Sequence, residues 1–372
     1  MDAGEPADVL IVGAGLAGAM LALFLARAGR KVRVFDRDAD PRPSFRAEKL
    51  DSSQVRALGE LGATATLKAA ALPNVDPAAP SAALQDRGVH YNAWVRAVRR
   101  AWSGGVSFQQ GDVARVDTSP TFQSIELRDG QVFSGRLLVI ASGRSETIEG
   151  LASVSRRIVS ANHSVSLGFS VETDRPVSAR IVEARPGRKV GYVSVFPMPD
   201  EARLNVFTYH APTDPWLRSF SRDPLGHVLE IAPELAPILG EARVLRKCEV
   251  RVTDLTAIEN HVRPGVVFIG DAFSTVCPAS GTGVSKVLND VRLLCVRHIP
   301  DWLASPGLSR AKIEAFYGDP EKLALDRDAM RRSINARLST LGASPYWRLR
   351  GAAGRLRRRL ATAPSRTPVT AN

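Results

Sequence analysis

The sequence predicts an α/β fold: a parallel sheet alternating with helices, into which a second, sheet-based unit is inserted. Three observations predict it. Asp8–Val12 (DVLIV) and Lys31–Phe35 (KVRVF) are short apolar runs of the kind that form central parallel strands, and a glycine-punctuated helical stretch separates them. The same texture returns far downstream, at Leu137–Ala141 (LLVIA) and Gly265–Ile269 (GVVFI). Between them the pattern changes to period-two alternation, in Val165–Val171, Val190–Phe196 and Leu204–Tyr209, with few long helical patterns before Leu225.

The first element is a strand over Asp8–Val12, followed by Gly13–Gly18 (GAGLAG). A helix over Ala19–Ala28 comes next and stops at Gly29, and Lys31–Phe35 closes a β-α-β unit ending at Asp36. The apolar run Val9–Ala26 resembles a spanning helix in hydropathy, but four glycines in Val9–Arg30 and an acidic flank (MDAGEPAD) argue for a buried strand and helix instead. With no other spanning candidate, the expected location is cytoplasmic. Pro41–Leu50 reads as a loop, Val55–Leu61 as a short helix and Pro73–Pro80 as a connection. Tyr91–Trp102 reads as an amphipathic helix with Trp94, Val95, Val98 and Trp102 on one face. Short strands are expected at Val106–Phe108 and Asp112–Val116. Ile125–Leu127 and Val132–Phe133 flank the hairpin signal Asp129-Gly130. After Gly265–Ile269, Val284, Val287, Leu288, Val291 and Leu294 mark one stripe of a further helix.

The chain has 372 residues and a formal charge of +12, but the charge is uneven. From Arg331 to Asn372 there are ten Arg and no Lys, Asp or Glu, so the other 330 residues carry only +2. A nucleic-acid enzyme spreads its basic residues over the folded body, so no nucleic-acid partner is expected. Trp347–Arg350 and Arg355–Leu360 mix basic and apolar residues. A peripheral contact with an anionic membrane and a solvated tail are both open. The three cysteines (Cys248, Cys277, Cys295) and six scattered histidines form no metal-ligand spacing, so neither a disulfide framework nor a metal site is expected.

The strongest chemical signal is Gly13-Ala14-Gly15-Leu16-Ala17-Gly18 between a strand and a helix, with Asp36 at the end of the next strand. Gly13 permits a tight turn, Gly15 lets a diphosphate approach the backbone and Gly18 lets the helix pack on the sheet. The helix N-terminus favours anionic phosphate, and Asp36 can accept hydrogen bonds from a ribose diol. The second signal is Gly270-Asp271-Ala272 after the late strand, followed by Cys277-Pro278-Ala279-Ser280-Gly281-Thr282-Gly283 opening another helix.

These two motifs together resemble the class A FAD-dependent monooxygenases, the para-hydroxybenzoate hydroxylase-like family, over roughly residues 8 to 300. The resemblance implies a Rossmann-like FAD-binding domain with an inserted β-sheet substrate domain. The expected organisation is residues 1–156 and 252–330 for the FAD-binding domain and its C-terminal helices, 157–251 for the substrate domain and 331–372 for a basic tail. The family pattern implies that Asp271 (after Gly270) binds the ribityl chain. It places Pro278 and the Gly281-Thr282-Gly283 helix start by the isoalloxazine ring, where a helix N-terminus suits the negative charge of reduced flavin. Arg46 falls where the family places an arginine that reaches the cofactor; a solvated loop charge is the other reading. Val113 sits in a strand whose backbone meets the adenine in relatives.

Two departures from the family stand out. The family's middle Asp-Gly motif reads Ala141-Ser142-Gly143-Arg144 here, which removes a carboxylate tied to FAD and nicotinamide nucleotide. Arg144 is open to a phosphate contact or a surface role. At Gly88–Val95, an arginine that relatives carry at the place of Tyr91 or Asn92 is missing. The Trp-x-Trp-x-Ile-Pro motif of flavin-dependent halogenases is absent, which argues against chlorination.

The function implied is insertion of one oxygen atom from O₂ into an aromatic or unsaturated apolar small molecule through a flavin C4a-hydroperoxide. FAD is the cofactor, and NADH or NADPH the donor, directly or through a partner reductase. Phe196, Pro197 and Met198 are candidates to line the substrate pocket. No residue is singled out as a catalytic acid or base. The rival readings are a flavin-dependent reductase of lipid double bonds and a non-catalytic nucleotide-binding protein.

Overall fold

The computed structural model describes residues 5–42, 44, 47–70, 88–177, 179–198, 201–342, 344–349 and 352–353. Strand β1 (Ala7–Val12) leads into helix α1 (Leu16–Arg27) and β2 (Val32–Asp36). A short antiparallel ribbon, β3 (Ala47–Lys49) with β4 (Gly88–His90), brackets helix α2 (Ser52–Glu60). Helix α3 (Tyr91–Arg100) is followed by β5 (Val106–Gln110), β6 (Val113–Thr118), β7 (Gln123–Leu127) and β8 (Val132–Ile140). The second sheet uses β9 (Ser155–Thr173), β10 (Arg180–Glu183), β11 (Val190–Pro197), β12 (Ala202–Thr208), β13 (Ala242–Val244) and β14 (Glu249–Glu259), with short helices between Pro215 and Leu239. The chain then returns through β15 (Val266–Phe268), α4 (Gly283–Leu293) and α5 (Pro320–Leu341).

The first sheet has five parallel strands in the order β5-β2-β1-β8-β15, with β6 and β7 added as an antiparallel ribbon on β8. Its strands bury both faces, which is why they read as unbroken apolar runs: Val9, Leu10, Ile11, Val267 and Phe268 are fully buried. The α1 helix is buried from Leu16 to Ala26 for the same reason. The second sheet runs β10-β11-β12-β9, with β13 and β14 both on the far side of β9. One face carries Leu167, Phe169, Val193, Val195, Leu204 and Val206 and packs on Leu217, Phe220, Val228 and Ile231 from the short helices. The alternation in the sequence records that face.

Among the boundaries that differ from the sequence reading, three bear on the architecture. Val132–Phe133 and Leu137–Ala141 are not two strands but one, because β8 changes partners without a break: Gly135 pairs with Gln123 of β7 and with Ala7 of β1. A side chain at Gly135 would press within 2.8 Å of Leu10, so the residue that reads as a break is the one that lets the strands meet. The second sheet extends from Ser155 to Glu259, beyond 157–251 at both ends, because β9 and β14 stay paired to their tips (Ser155 with Glu259). The tail does not start at 331. Helix α5 runs to Leu341 and stops at Gly342, whose φ is +59°, with Ser333 fully buried and Arg331 and Arg332 both paired to Asp328.

Candidate functional site

The first bend lies between β1 and α1. Gly13 has φ +105°, and a Cβ there would lie 2.5 Å from the Ala141 carbonyl oxygen. At Gly18 a Cβ would lie 1.9 Å from the Gly13 carbonyl oxygen. The fold itself requires both glycines. Gly15 differs: its φ of −68° and ψ of −173° suit any residue, and a Cβ would meet only the Tyr91 hydroxyl, at 3.6 Å. Nothing in the protein demands glycine there, so the missing side chain leaves room for a partner from outside. Ala14 N donates to Asp36 Oδ2 at 2.7 Å, and Asp38 N donates to Oδ1 at 3.1 Å. Asp36 therefore ties the end of β2 to the bend, and a carboxylate with about four acceptor positions keeps capacity for a diol. Helix α1 has no side-chain cap.

The second bend lies between β15 and α4. Gly270 has φ +59°, and a Cβ there would lie 3.5 Å from the Ala17 side chain. Two segments more than 250 residues apart in sequence are thus in contact through their smallest residues. Asp271 is half-buried, and among the described residues its carboxylate makes no hydrogen bond or ion pair. Pro278–Ser280 forms a single 3₁₀ turn, Gly281 takes φ +66°, and Thr282 precedes α4 without capping it. Gly283 repeats the logic of Gly15: a Cβ would meet only Val276, at an ordinary 3.9 Å.

The supports of this second bend escaped the sequence reading. The Gly270 N–H donates to Asp290 Oδ2 at 3.1 Å, and Lys322 Nζ donates to Asp290 Oδ1 at 2.7 Å. Lys322 also pairs with Asp326 at 3.1 Å and lies 4.3 Å from the Phe273 ring centroid. Lys286, equally buried, donates to both Ser274 oxygens and faces Asp326. Arg156, paired with Glu149, donates to the Asp271 and Ala272 carbonyls. Gln54 of α2 donates to Gly281 O at 3.2 Å and Ser285 Oγ at 2.9 Å.

The other sequence candidates fall as follows. Val113 is buried at the start of β6. Arg46 lies outside the described residues. Arg144 pairs with Asp254 at 3.5 Å, so its charge has a partner within the protein. Phe196 lies on the face of the second sheet away from the short helices, with Tyr192 and Ser194. From that face the Tyr192 hydroxyl donates to Ala279 O of the Pro278 turn at 3.4 Å. Burial holds the Tyr192 and Tyr209 phenols well above the ordinary tyrosine range, so both stay protonated. Cys277 is fully buried against Ser164 and Tyr209, and burial pushes its thiol up, which makes it inert. Among the described residues there is no cluster of metal-ligating side chains.

His163 joins β9 to α5: its Nε2–H donates to Ser333 O at 3.1 Å. Burial, with Arg337 nearby, holds its pKa below the ordinary histidine value, against the effect of the Ser333 hydrogen bond. The folded chain therefore binds fewer protons than the unfolded one just below pH ~6.5. Stability should be flat above that pH and fall as pH drops from there towards the folded pKa. Urea midpoints at pH 7.5 and 5.5 measure this, and His163→Gln, which keeps a donor for Ser333, should reduce the difference.

Residues 6–102 match a family model described as FAD binding domain. The chain is 26% identical over 342 residues to kynurenine 3-monooxygenase of Salinispora tropica, covering 79% of this chain and 73% of the relative. It is 23% identical to 3-demethoxyubiquinol 3-hydroxylase of Escherichia coli, over 78% of this chain and 79% of the relative. Its fold is similar to that of p-nitrophenol 4-monooxygenase from Pseudomonas putida (TM-score 0.72, 16% identity), over 94% of this chain and 92% of that one. An FAD-binding α/β sheet with a second sheet beside its Gly-Asp bend defines an FAD-dependent oxidoreductase. Within that class, the relatives and the fold neighbour to which the chain is similar are two monooxygenases and a hydroxylase.

Proposed function

We propose that the chain transfers one oxygen atom from O₂ to an aromatic or unsaturated apolar small molecule, the other oxygen leaving as water, with NADH or NADPH as the source of electrons. Bound FAD would supply the redox chemistry, taking electrons from the nicotinamide and activating O₂. The chain's own residues bind, orient and exclude water. Gly15 and the uncapped start of α1 would receive the diphosphate, Asp36 a ribose diol and Asp271 the ribityl hydroxyls. Gly281, Thr282 and Gly283 would set the start of α4 against the pyrimidine side of the ring, with Pro278 beside it. Arg46 and Val113 remain candidates for further contacts along the cofactor. The substrate would lie between the Pro278 turn and the sheet face that carries Tyr192, Ser194 and Phe196.

The observation that carries this reading is the pair Gly15 and Gly283, each at a helix start and each a glycine that the protein does not need for itself. Neither conformation nor packing accounts for them, whereas a ligand lying against both backbones does. With Arg144 paired to Asp254 and no carboxylate at Ser142, electrons would reach the flavin from the nicotinamide directly or through a partner reductase. Among the described residues no helix is long and apolar enough to cross a membrane.

The purified protein should show a flavin absorption spectrum that bleaches with NADH or NADPH under argon, directly or after addition of a flavin reductase, and recovers with O₂. Bleaching without O₂ consumption or an oxygenated product in the presence of substrate would favour a reductase instead.

A further inference from the structure

A cleft of about 430 Å³ opens between one end of the second sheet and the last turns of α5. It is lined by Asn162 of β9, Lys189 just before β11, Tyr209 and Pro212 after β12, and Arg337 and Leu341 of α5. None of these residues belongs to the two bends or to the sheet face beside the Pro278 turn. The volume suits a small molecule. Tyr209, Pro212 and Leu341 give an apolar wall, while the charges are of one sign: Lys189 and Arg337 line the cleft and, among the described residues, no carboxylate does. Arg337 Nη1 donates to Asn162 O at 3.3 Å and His163 O at 3.1 Å, both neutral carbonyls, and among the described residues it has no ion pair. Lys189 lies 3.5 Å from Asp214, a carboxylate that already accepts from His210 Nδ1 at 2.8 Å and from the Trp216 N–H at 3.0 Å. Lys189 has φ +55° and Asn162 φ +47°, two of the four non-glycine residues in the left-handed region among those described. Asparagine tolerates that region, but at Lys189 glycine would stand without strain. A lysine held there against its backbone preference points to a use for its side chain.

We propose that this cleft binds a small organic anion, its carboxylate or phosphate on Lys189 and Arg337 and its ring or alkyl body against Tyr209, Pro212 and Leu341. The site is separate from those of FAD and of the oxygen acceptor, and it does not depend on the oxygen-transfer reading. It is nevertheless close to them: the Tyr209 hydroxyl lies 3.9 Å from Cys277 Sγ, next to the Pro278 turn. Lys189 is half-exposed, so salt screens part of the attraction and affinity should fall as ionic strength rises.

The test is calorimetric titration of the full chain, as purified, with benzoate, phenyl phosphate and the neutral benzyl alcohol at low salt. One or both anions should give saturable heat, which tells carboxylate from phosphate, and benzyl alcohol should not. Arg337→Gln should raise the Kd of the bound anion about tenfold, the loss of one hydrogen bond between charged groups. Lys189→Gly should raise it about fivefold, as for a partly exposed ion pair, while its urea midpoint stays at or above that of the wild type, because glycine takes φ +55° without strain. The loss of affinity in a variant that is no less stable separates a binding role from a structural one. If both variants bind the anion as the wild type does, the anion sits elsewhere and the proposal fails. It fails equally if neither anion gives saturable heat, or if benzyl alcohol binds as tightly as the anions.

Discussion

Gly15→Asp should leave the fold intact and weaken FAD binding at least about a hundredfold, whereas Gly18→Ala should prevent folding. The two residues belong to one motif six residues long, yet they serve different masters. At Gly18 a Cβ would sit 1.9 Å from the Gly13 carbonyl oxygen, a backbone atom. That atom cannot yield without displacing α1 from the sheet, so the cost should exceed the ~1–3 kcal/mol of ordinary overpacking. Gly15 is the N-cap of α1, its backbone angles suit any residue, and the first contact of a side chain is 3.6 Å away. Aspartate is among the best N-cap residues, so the helix should gain a few tenths of a kcal/mol over glycine. The same carboxylate would face the diphosphate, and like charges brought together cost several kcal/mol, so FAD affinity should fall by at least about a hundredfold. Urea denaturation and FAD titration of both variants measure the two effects separately. A Gly15→Asp protein that still binds FAD tightly would move the cofactor away from the first bend.

The second large effect concerns Lys322. It is 1% exposed, 2.7 Å from Asp290 and 3.1 Å from Asp326. Burial works to lower its pKa, but the two carboxylates outweigh burial and hold it above the ordinary lysine value, so it stays charged. Lys322→Met keeps most of the volume and removes the charge, leaving Asp290 buried with only the Gly270 N–H and its surroundings to stabilise it. Removing one partner of a buried ion pair costs about 3–5 kcal/mol. Because Asp290 also carries the Gly270 N–H, the variant that still folds should bind FAD more weakly, through a shifted Gly270-Asp271 turn rather than a lost contact. Adding Asp290→Asn should recover part of the stability, since the amide keeps an acceptor for Gly270 and carries no charge. Equal stability of the wild type and Lys322→Met in urea would show that the cluster is dispensable.

What the sequence made legible, and what it hid, follows from how local each signal is. The β1–α1–β2 unit, the two glycine bends and Asp36 are readable because turn, helix start and strand end lie within a few residues of one another, and backbone requirements such as the φ of Gly13 and Gly270 leave glycine at the position. The closeness of Asp36 to the glycine bend could be anticipated because the β-α-β unit has a standard span. The Lys286–Asp290–Lys322–Asp326 cluster could not. Lys322 and Asp326 are four apart on a helix and read as an ordinary solvated pair; only the packing of α5 on α4 buries them. Tyr91 was noticed for the arginine it replaces, but that its hydroxyl sits over Gly15 depends on how α3 packs against α1. In the second sheet the alternation was plain, yet Ser164, Ser166, Ser170 and Ser194 imitate a solvent face. All four are buried: Ser164 meets Cys277 on that face, and Ser170 meets Glu201 and Arg203. Charge alone makes the run after Arg331 look like a tail, although nothing before Gly342 ends the helix.

In this reading one ligand touches both bends. Calorimetric titration of the flavin-free protein with FAD and with ADP tests it most directly, since ADP fills the dinucleotide end alone. FAD should bind at least about a hundredfold more tightly than ADP, and Asp271→Ala should remove much of that advantage while leaving ADP affinity unchanged. Equal affinity for the two, with Asp271→Ala silent towards both, would show that the second bend holds nothing.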